Sequence, residues 1–419
     1  MTEALLLLAL ILGLLVIRQN VVVVLLASAA YVHLVWGEGV LVYLVEDLWI
    51  SLNNEVLLAI PIFLIAGNLM TRGSIARRLI EVARLSTCFL PGGLGVATIL
   101  SCALFAAISG SSPVTLLAVG TILYPALLQN GYPKKFALGA LTSGGTLGII
   151  IPPSIPLILY GLVTEKSISD LFIAGIIPGL MLTAGLAGYA LFANRRMPTQ
   201  PFDPGAFGRA LKDGIWSLMM PVILLGGIYS GFFSPTEAAA VALAYGLAVE
   251  MFIHRELGLK DFYQTMTDTA RMLGMLFPIV AVALSLKTIL TLYGVPRAVA
   301  EAITGAVSDP VTFLLAVNLM LLIVGCLFEV VAAILVLAPL LMTAAMAYGI
   351  DPIHFGIIMV INLEIGFLTP PIGMNLIVAM TAFKERFGLI CLSVLPFIAI
   401  ILAVLMLVTF VPALTTMLL

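Results

Sequence analysis

The sequence predicts an all-α polytopic membrane protein with inverted-topology repeats, each repeat holding a re-entrant helical hairpin and a broken helix. Three observations predict it. The first is composition: 62% of the 419 residues are hydrophobic and 10% are charged, with a mean hydropathy of +1.22. A bilayer-spanning helix needs about 20 apolar residues, and roughly ten such stretches are present with several half-length ones. The second is a phrase stated twice, Gly148-Ile149-Ile150-Ile151-Pro152-Pro153 and Gly366-Phe367-Leu368-Thr369-Pro370-Pro371, each inside an apolar run. Glycine frees the backbone, and each proline removes an N–H and disrupts the preceding turn. A helix written this way breaks at mid-membrane, which is tolerated only where the break is buried in protein or lines a cavity. The third is charge: the basic clusters fall on one side of the membrane only if two apolar runs, 91–130 and 311–347, enter and turn back.

The elements follow in order. A first span at 4–17 runs from Glu3 to Arg18, placing the N-terminus outside; with no small-residue cleavage site it reads as a membrane helix, not a leader. A second, 19–36, returns outward to Trp36. The stretch 37–54, with Glu38, Glu46, Asp47 and Trp49, reads as an amphipathic interfacial segment, so 1–54 forms an N-terminal scaffold piece. The first repeat covers 55–193. Its span 55–72 delivers Arg72, Arg77, Arg78 and Arg84 to the cytoplasm, hairpin 91–130 splits at Ser109–Pro113, broken helix 135–165 runs outward, and 170–193 comes back to Arg195 and Arg196. Residues 194–213 are the most polar and Pro-rich and link the halves. Spans at 215–233 and 236–253 then complete a linker and scaffold region, 194–271.

The second repeat, 272–419, begins with a span at 272–293. Hairpin 311–347 splits at Gly325–Glu329 between acidic flanks (Ser308, Asp309, Asp351), so it enters from outside; broken helix 353–382 ends at Lys384 and Arg386, and a last span puts the C-terminus outside. Proline spacing agrees between the halves: Pro133 to Pro152 spans 19 residues, Pro352 to Pro370 spans 18, and Ser111 and Glu329 each sit 41 residues before the first proline of their pair. Matching interruptions in two halves point to a transporter's binding site.

A hairpin tip that meets a broken helix brings half-helix ends together. Their N-termini suit an anionic group, and unwound carbonyls suit a cation such as Na⁺. The first tip offers Ser109, Ser111 and Ser112, and the first break offers Ser143, Thr146 and the carbonyls of 144–148. Neutral oxygens without a carboxylate fit a releasable monovalent cation better than Ca²⁺ or Mg²⁺. The second site sets Glu329 at its tip, with Asn362, Glu364, Thr369 and Asn375 around the break. Glu364 reads equally as a functional carboxylate, since one at the bilayer centre costs about 2.5–3.5 kcal/mol and is kept for a function, or as a structural one that caps freed amides near the break or is held protonated. Isolated hydroxyls such as Thr115 and Thr288 read as helix packing. No Lys or Arg falls at mid-membrane to grip an anion, so backbone amides and polar side chains would have to do so. Four cysteines without CxxC spacing read as small hydrophobes, and three scattered histidines argue against a metal cluster.

Ser109-Gly110-Ser111-Ser112-Pro113, Gly148 through Pro156, Ser234-Pro235-Thr236-Glu237-Ala238-Ala239-Ala240, and Gly356 through Asn375 resemble the large membrane subunit of tripartite ATP-independent periplasmic (TRAP) transporters; Pro61–Gly67 with Ile75–Leu79 also fits. The resemblance covers nearly the whole chain. It implies a sodium-coupled elevator-type importer of organic acids in the bacterial inner membrane, with two partners: a small four-helix membrane subunit, expected as a separate polypeptide, and a periplasmic substrate-binding protein. Sodium is then expected at Ser109, Gly110, Ser111, Gly145, Thr146 and Gly148, and at Gly325, Gly366, Thr369 and Pro370. Substrate is expected at Ser111, Ser112, Pro153, Ser154, Glu329, Gly373 and Asn375. No organic cofactor, nucleic acid or catalytic residue is implied.

Two other classes fit less well. An intramembrane enzyme would need a nucleophile and base in reach, and no Ser–His, paired Asp or HExxH spacing occurs. A passive channel has no need of paired broken helices. The alternative of weight is a stand-alone ion-coupled organic anion transporter of related fold, coupled to protons through Glu329 or Glu364.

Overall fold

A computed structural model describes residues 2–17, 19–37 and 39–419. Arg18, which closes the first expected span, and Glu38 of the interfacial stretch lie outside the described residues. Among those described, nine helices are long and apolar enough to cross a bilayer. Helices α1 (Thr2–Val16) and α2 (Val21–Val35) lead into α3 (Leu41–Leu52), the expected interfacial segment. A 3₁₀ turn and α4 (Ala59–Arg72) make the next span, followed by an amphipathic helix α5 (Ile75–Thr87) that the sequence reading did not separate from its neighbours.

The first hairpin is α6 (Gly93–Ser109) and α7 (Ser112–Gln129). It turns where Gly110 takes a left-handed φ of 61°, open to glycine without strain. The first broken helix is α8 (Lys134–Thr146), a 3₁₀ turn, and α9 (Ile155–Thr164), parted by a cis Pro152–Pro153 peptide; α10 (Ile168–Ala193) closes the unit. Helices α11 (Pro204–Tyr229) and α12 (Pro235–Ala248) pack on α5 and α4. A π-helical turn after α12 presents the fully buried Glu250, which accepts hydrogen bonds from the Ser74 and Ile75 amides (both 2.7 Å) and the Ser74 hydroxyl (3.2 Å). The carboxylate thus caps the N-terminus of α5, where orphan amides and the helix dipole favour an anion.

The span expected at 272–293 belongs to a longer helix: α13 (Leu259–Leu292) has 34 residues. Its first turns carry Lys260, Asp261 and Asp268 and extend past the apolar run, so hydropathy alone does not find their start. Amphipathic α14 (Val295–Ala306) follows, the counterpart of α5. The second hairpin is α15 (Pro310–Leu327) and α16 (Val330–Ala347), the second broken helix α17 (Pro352–Gly366) and α18 (Met374–Phe383) with a cis Pro370–Pro371 peptide, and the last elements are α19 (Phe387–Phe410) and short α20 (Ala413–Thr416).

One offset of 218 residues carries Ser112 to Val330, Lys134 to Pro352 and Pro152 to Pro370, so the second hairpin arm and the start of the break repeat without a gap. The two broken helices run antiparallel. At one end Lys134, which starts α8, pairs with Glu385 just past α18 (2.5 Å). At the other, Tyr160 of α9 donates to the Pro352 carbonyl that starts α17 (2.7 Å). Each helix begins where the other finishes, the inversion expected from the charge pattern.

Candidate transport site

Both hairpin tips open on one cavity of ≈ 360 Å³. Gly110, Ser111, Ser112 and Pro113 line it from the first tip, and Glu329, Val330 and Val331 from the second. The N-termini of α7 and α16 therefore face the same space, and partial positive charge at two helix ends suits an anion. The opposite wall is a stripe of α13: Met272, Met275, Leu276 and Ile279. Glu329 is the one charged side chain in the lining, and one of its oxygens caps α16 by accepting from the Ala332 amide (3.1 Å).

Of the residues expected around substrate, Ser111, Ser112 and Glu329 line this cavity and the others stand behind it. Ser154 caps α9, donating to the Ile149 carbonyl (2.5 Å) and accepting from the Leu157 amide (3.3 Å). The Pro153 carbonyl lies against Gly110, whose own carbonyl accepts from the Ile155 amide (3.2 Å). Gly373 starts α18 with φ +50°. Asn375 is fully buried; its amide donates to the Ser112 hydroxyl (2.7 Å) and the Thr142 carbonyl (3.1 Å), so the second break holds the first tip in place.

The first tip–break junction gathers neutral oxygens. The Ser109 and Thr115 hydroxyls share a 2.7 Å hydrogen bond, Ser109 also reaches the Ser111 carbonyl (3.3 Å), and Gly148 packs so closely that a β-carbon there would lie 2.6 Å from that carbonyl. Thr115, read from sequence as packing, thus belongs to the cluster. The signal was its place one turn after Ser111, on the face of α7 turned to the break. Gly145 faces Leu116 instead, and Thr146 donates to the Ser143 carbonyl (2.6 Å) and lies beside Glu364.

At the second junction Gly325 and Gly366 meet backbone to backbone: a β-carbon on Gly366 would lie 2.6 Å from the Gly325 α-carbon. The Cys326 carbonyl accepts from the Ile372 amide (3.4 Å), and Thr369 donates to the Ile365 carbonyl (2.6 Å), which leaves the hydroxyl lone pairs free. Pro370 sits at the cis bond beside it. The two junctions are built alike, each from a tip, a glycine contact and an unwound turn.

Paired hairpins and crossed broken helices that close on one cavity are the architecture of a membrane transporter. The family model for the tripartite ATP-independent periplasmic transporter, DctM component, matches residues 6–414, and the chain belongs to that family. It is 43% identical over 364 residues to a C4-dicarboxylate TRAP transporter large permease protein of Pseudomonas aeruginosa, covering 86% of this chain and 85% of that one. It is 40% identical over 375 residues to an isethionate TRAP transporter permease protein of Oleidesulfovibrio alaskensis, covering 88% of this chain but 59% of that longer relative. An ectoine TRAP transporter large permease protein of Halomonas elongata is 37% identical, with 86% of each chain covered. In fold the chain is similar to the YdaH transporter of Alcanivorax borkumensis, with a TM-score of 0.65 at 18% identity over 93% of this chain and 96% of that one.

Proposed function

We propose that this chain is the large permease of a sodium-coupled TRAP importer for a small organic acid. The cavity shared by the two tips carries the proposal. It is large enough for a compact acid, two helix N-termini face it, and a neutral-oxygen junction adjoins each tip. The relatives are named for C4-dicarboxylates, isethionate and ectoine, which favours a small anionic or zwitterionic solute. Sodium at the junctions would fix each tip against its break and set the amides that meet the substrate. Hairpins and broken helices would then move together past α13 as an elevator, with acid delivered by a periplasmic binding protein and the scaffold held by the small membrane subunit. Basic clusters on one face favour an inner-membrane orientation with both termini periplasmic. A stand-alone, proton-coupled transporter is disfavoured, because the family is named for three components.

The test is uptake by proteoliposomes holding the permease and its two partners, with a panel of organic acids. Uptake should need an inward Na⁺ gradient. Unchanged uptake when choline replaces Na⁺ would remove sodium coupling.

A further inference from the structure

We propose that Glu364 is a third coupling site, distinct from the two tip–break junctions, that takes up a monovalent cation during the transport cycle. It rests on the reading of the chain as a cation-driven permease. Glu364 lies near the end of α17, is 0% exposed, and neither carboxylate oxygen has a hydrogen-bond partner. A bare carboxylate so placed is unstable, because burial strips its water and nothing replaces it. It must therefore hold a cation, and no basic side chain supplies one.

Among the helices packed on α17, α15 and α20 carry no charged residue. Helices α9, α10, α16 and α19 carry theirs at or beside their ends (Glu165, Asp170, Glu329, Arg386), and α8, whose Thr146 adjoins the carboxyl, carries Lys134 and Lys135 at its start. Within the packed segments the titratable groups are Tyr160, Tyr189, Cys326 and Cys391. His354 of α17 itself is bonded to the Thr415 hydroxyl (2.8 Å). The Thr146 hydroxyl lies beside the Glu364 carboxyl but gives its proton to the Ser143 carbonyl (2.6 Å).

Oxygen-bearing side chains lie on the α8 turn next to the Glu364 carboxyl. The Thr142 and Ser143 hydroxyls and the Asn375 carbonyl oxygen are all buried without a partner, and Thr142 and Thr146 lie one turn apart on α8. An unpaired carboxyl beside the Thr146 hydroxyl, with further unpaired oxygens within one turn of Thr146 on α8, suits a desolvated monovalent cation. The place in the fold adds a reason. The 218-residue offset that relates the repeats carries Thr146 to Glu364, so the two side chains meet at the crossing of the antiparallel broken helices. One repeat contributes a neutral oxygen there and the other a charge. Asn375, joined to Thr142 and to the cavity-lining Ser112, links this centre to the substrate space.

The occupant is a proton or Na⁺, and the same measurement separates them. In proteoliposomes with both partners, the membrane potential at which net substrate movement stops is measured under imposed Na⁺ and pH gradients. This is done for the unmodified permease and for Glu364→Gln. If the cation is Na⁺, the variant should carry one Na⁺ fewer per substrate, with no pH term in either protein. If it is a proton, the pH term present in the unmodified permease should vanish and the Na⁺ count should stay. Equal counts of both cations in the two proteins would overturn the proposal and leave Glu364 a permanently neutral structural acid. Should Glu364→Gln fail to fold, Glu364→Asp and infrared difference spectra of the unmodified protein decide. A carboxyl band that responds to Na⁺ or pH and moves in the Asp variant supports the site; no such band overturns it. Loss of sodium dependence in the unmodified permease would sink the sodium reading above but leave the proton comparison intact.

Discussion

At the scale of single residues, Thr369 is the side chain on which the second junction turns. Its hydroxyl spends its proton on the Ile365 carbonyl, so the oxygen presents lone pairs to whatever occupies the unwound turn. Thr369→Val keeps the shape and removes that oxygen. Losing one buried polar partner costs about 1–3 kcal/mol, or roughly ten- to a hundredfold in affinity. The expected outcome is a half-saturating Na⁺ concentration raised by that factor, with expression unchanged. Uptake measured against Na⁺ checks it, and an unshifted midpoint makes Thr369 a packing residue. Gly366→Ala should differ in kind, because its methyl would run into the Gly325 backbone and part the tip from the break. What single residues revealed in the sequence follows from their chemistry. The proline pairs act on their own backbone and were legible at once; Gly148 and Gly366 marked the same places, but what they do is let the tips approach. Thr115 and the Thr146–Glu364 contact depend on how helices distant in the chain are rotated against one another, and no local spacing encodes that.

At the scale of elements, α5 shows how a short amphipathic helix is held. Its first amides are buried and depend on Glu250, 175 residues away from Ile75 in the chain. Glu250→Ala would strand the Ser74 and Ile75 amides, at about 1–3 kcal/mol each. A lower melting temperature of the purified permease is expected, with the Na⁺ midpoint of the surviving protein unmoved; a shifted midpoint would tie α5 to the cation sites instead. Helices α5 and α14 were missed for a physical reason: at 13 and 12 residues they are too short and too mixed in polarity to register as spans. The polar start of α13 escaped in the same way, whereas both hairpins and both broken helices fell within a few residues of their expected limits.

At the scale of the whole molecule, two ion pairs bear on the elevator proposal. Lys134–Glu385 joins the two broken helices and lies within the body that would move, and Lys134 holds the Glu385 carboxyl below the usual carboxylate range. Glu165–Lys287 (2.6 Å) instead joins the turn after α9 to α13. Cysteine pairs at the two places should therefore behave differently. Cross-linking Glu165→Cys to Lys287→Cys should arrest uptake, reversibly with reductant, and cross-linking Lys134→Cys to Glu385→Cys should leave most of it. Equal inhibition by both would argue against movement along α13. The methionine and aliphatic stripe of α13 has its own consequence. A solute in the cavity finds every polar partner on the tips and none on that wall, so it belongs chemically to one side of the interface. Sliding along this stripe would break no hydrogen bond between solute and wall. In the elevator proposed above, the wall would work as a greased rail, and the grip on the passenger would travel with the carriage.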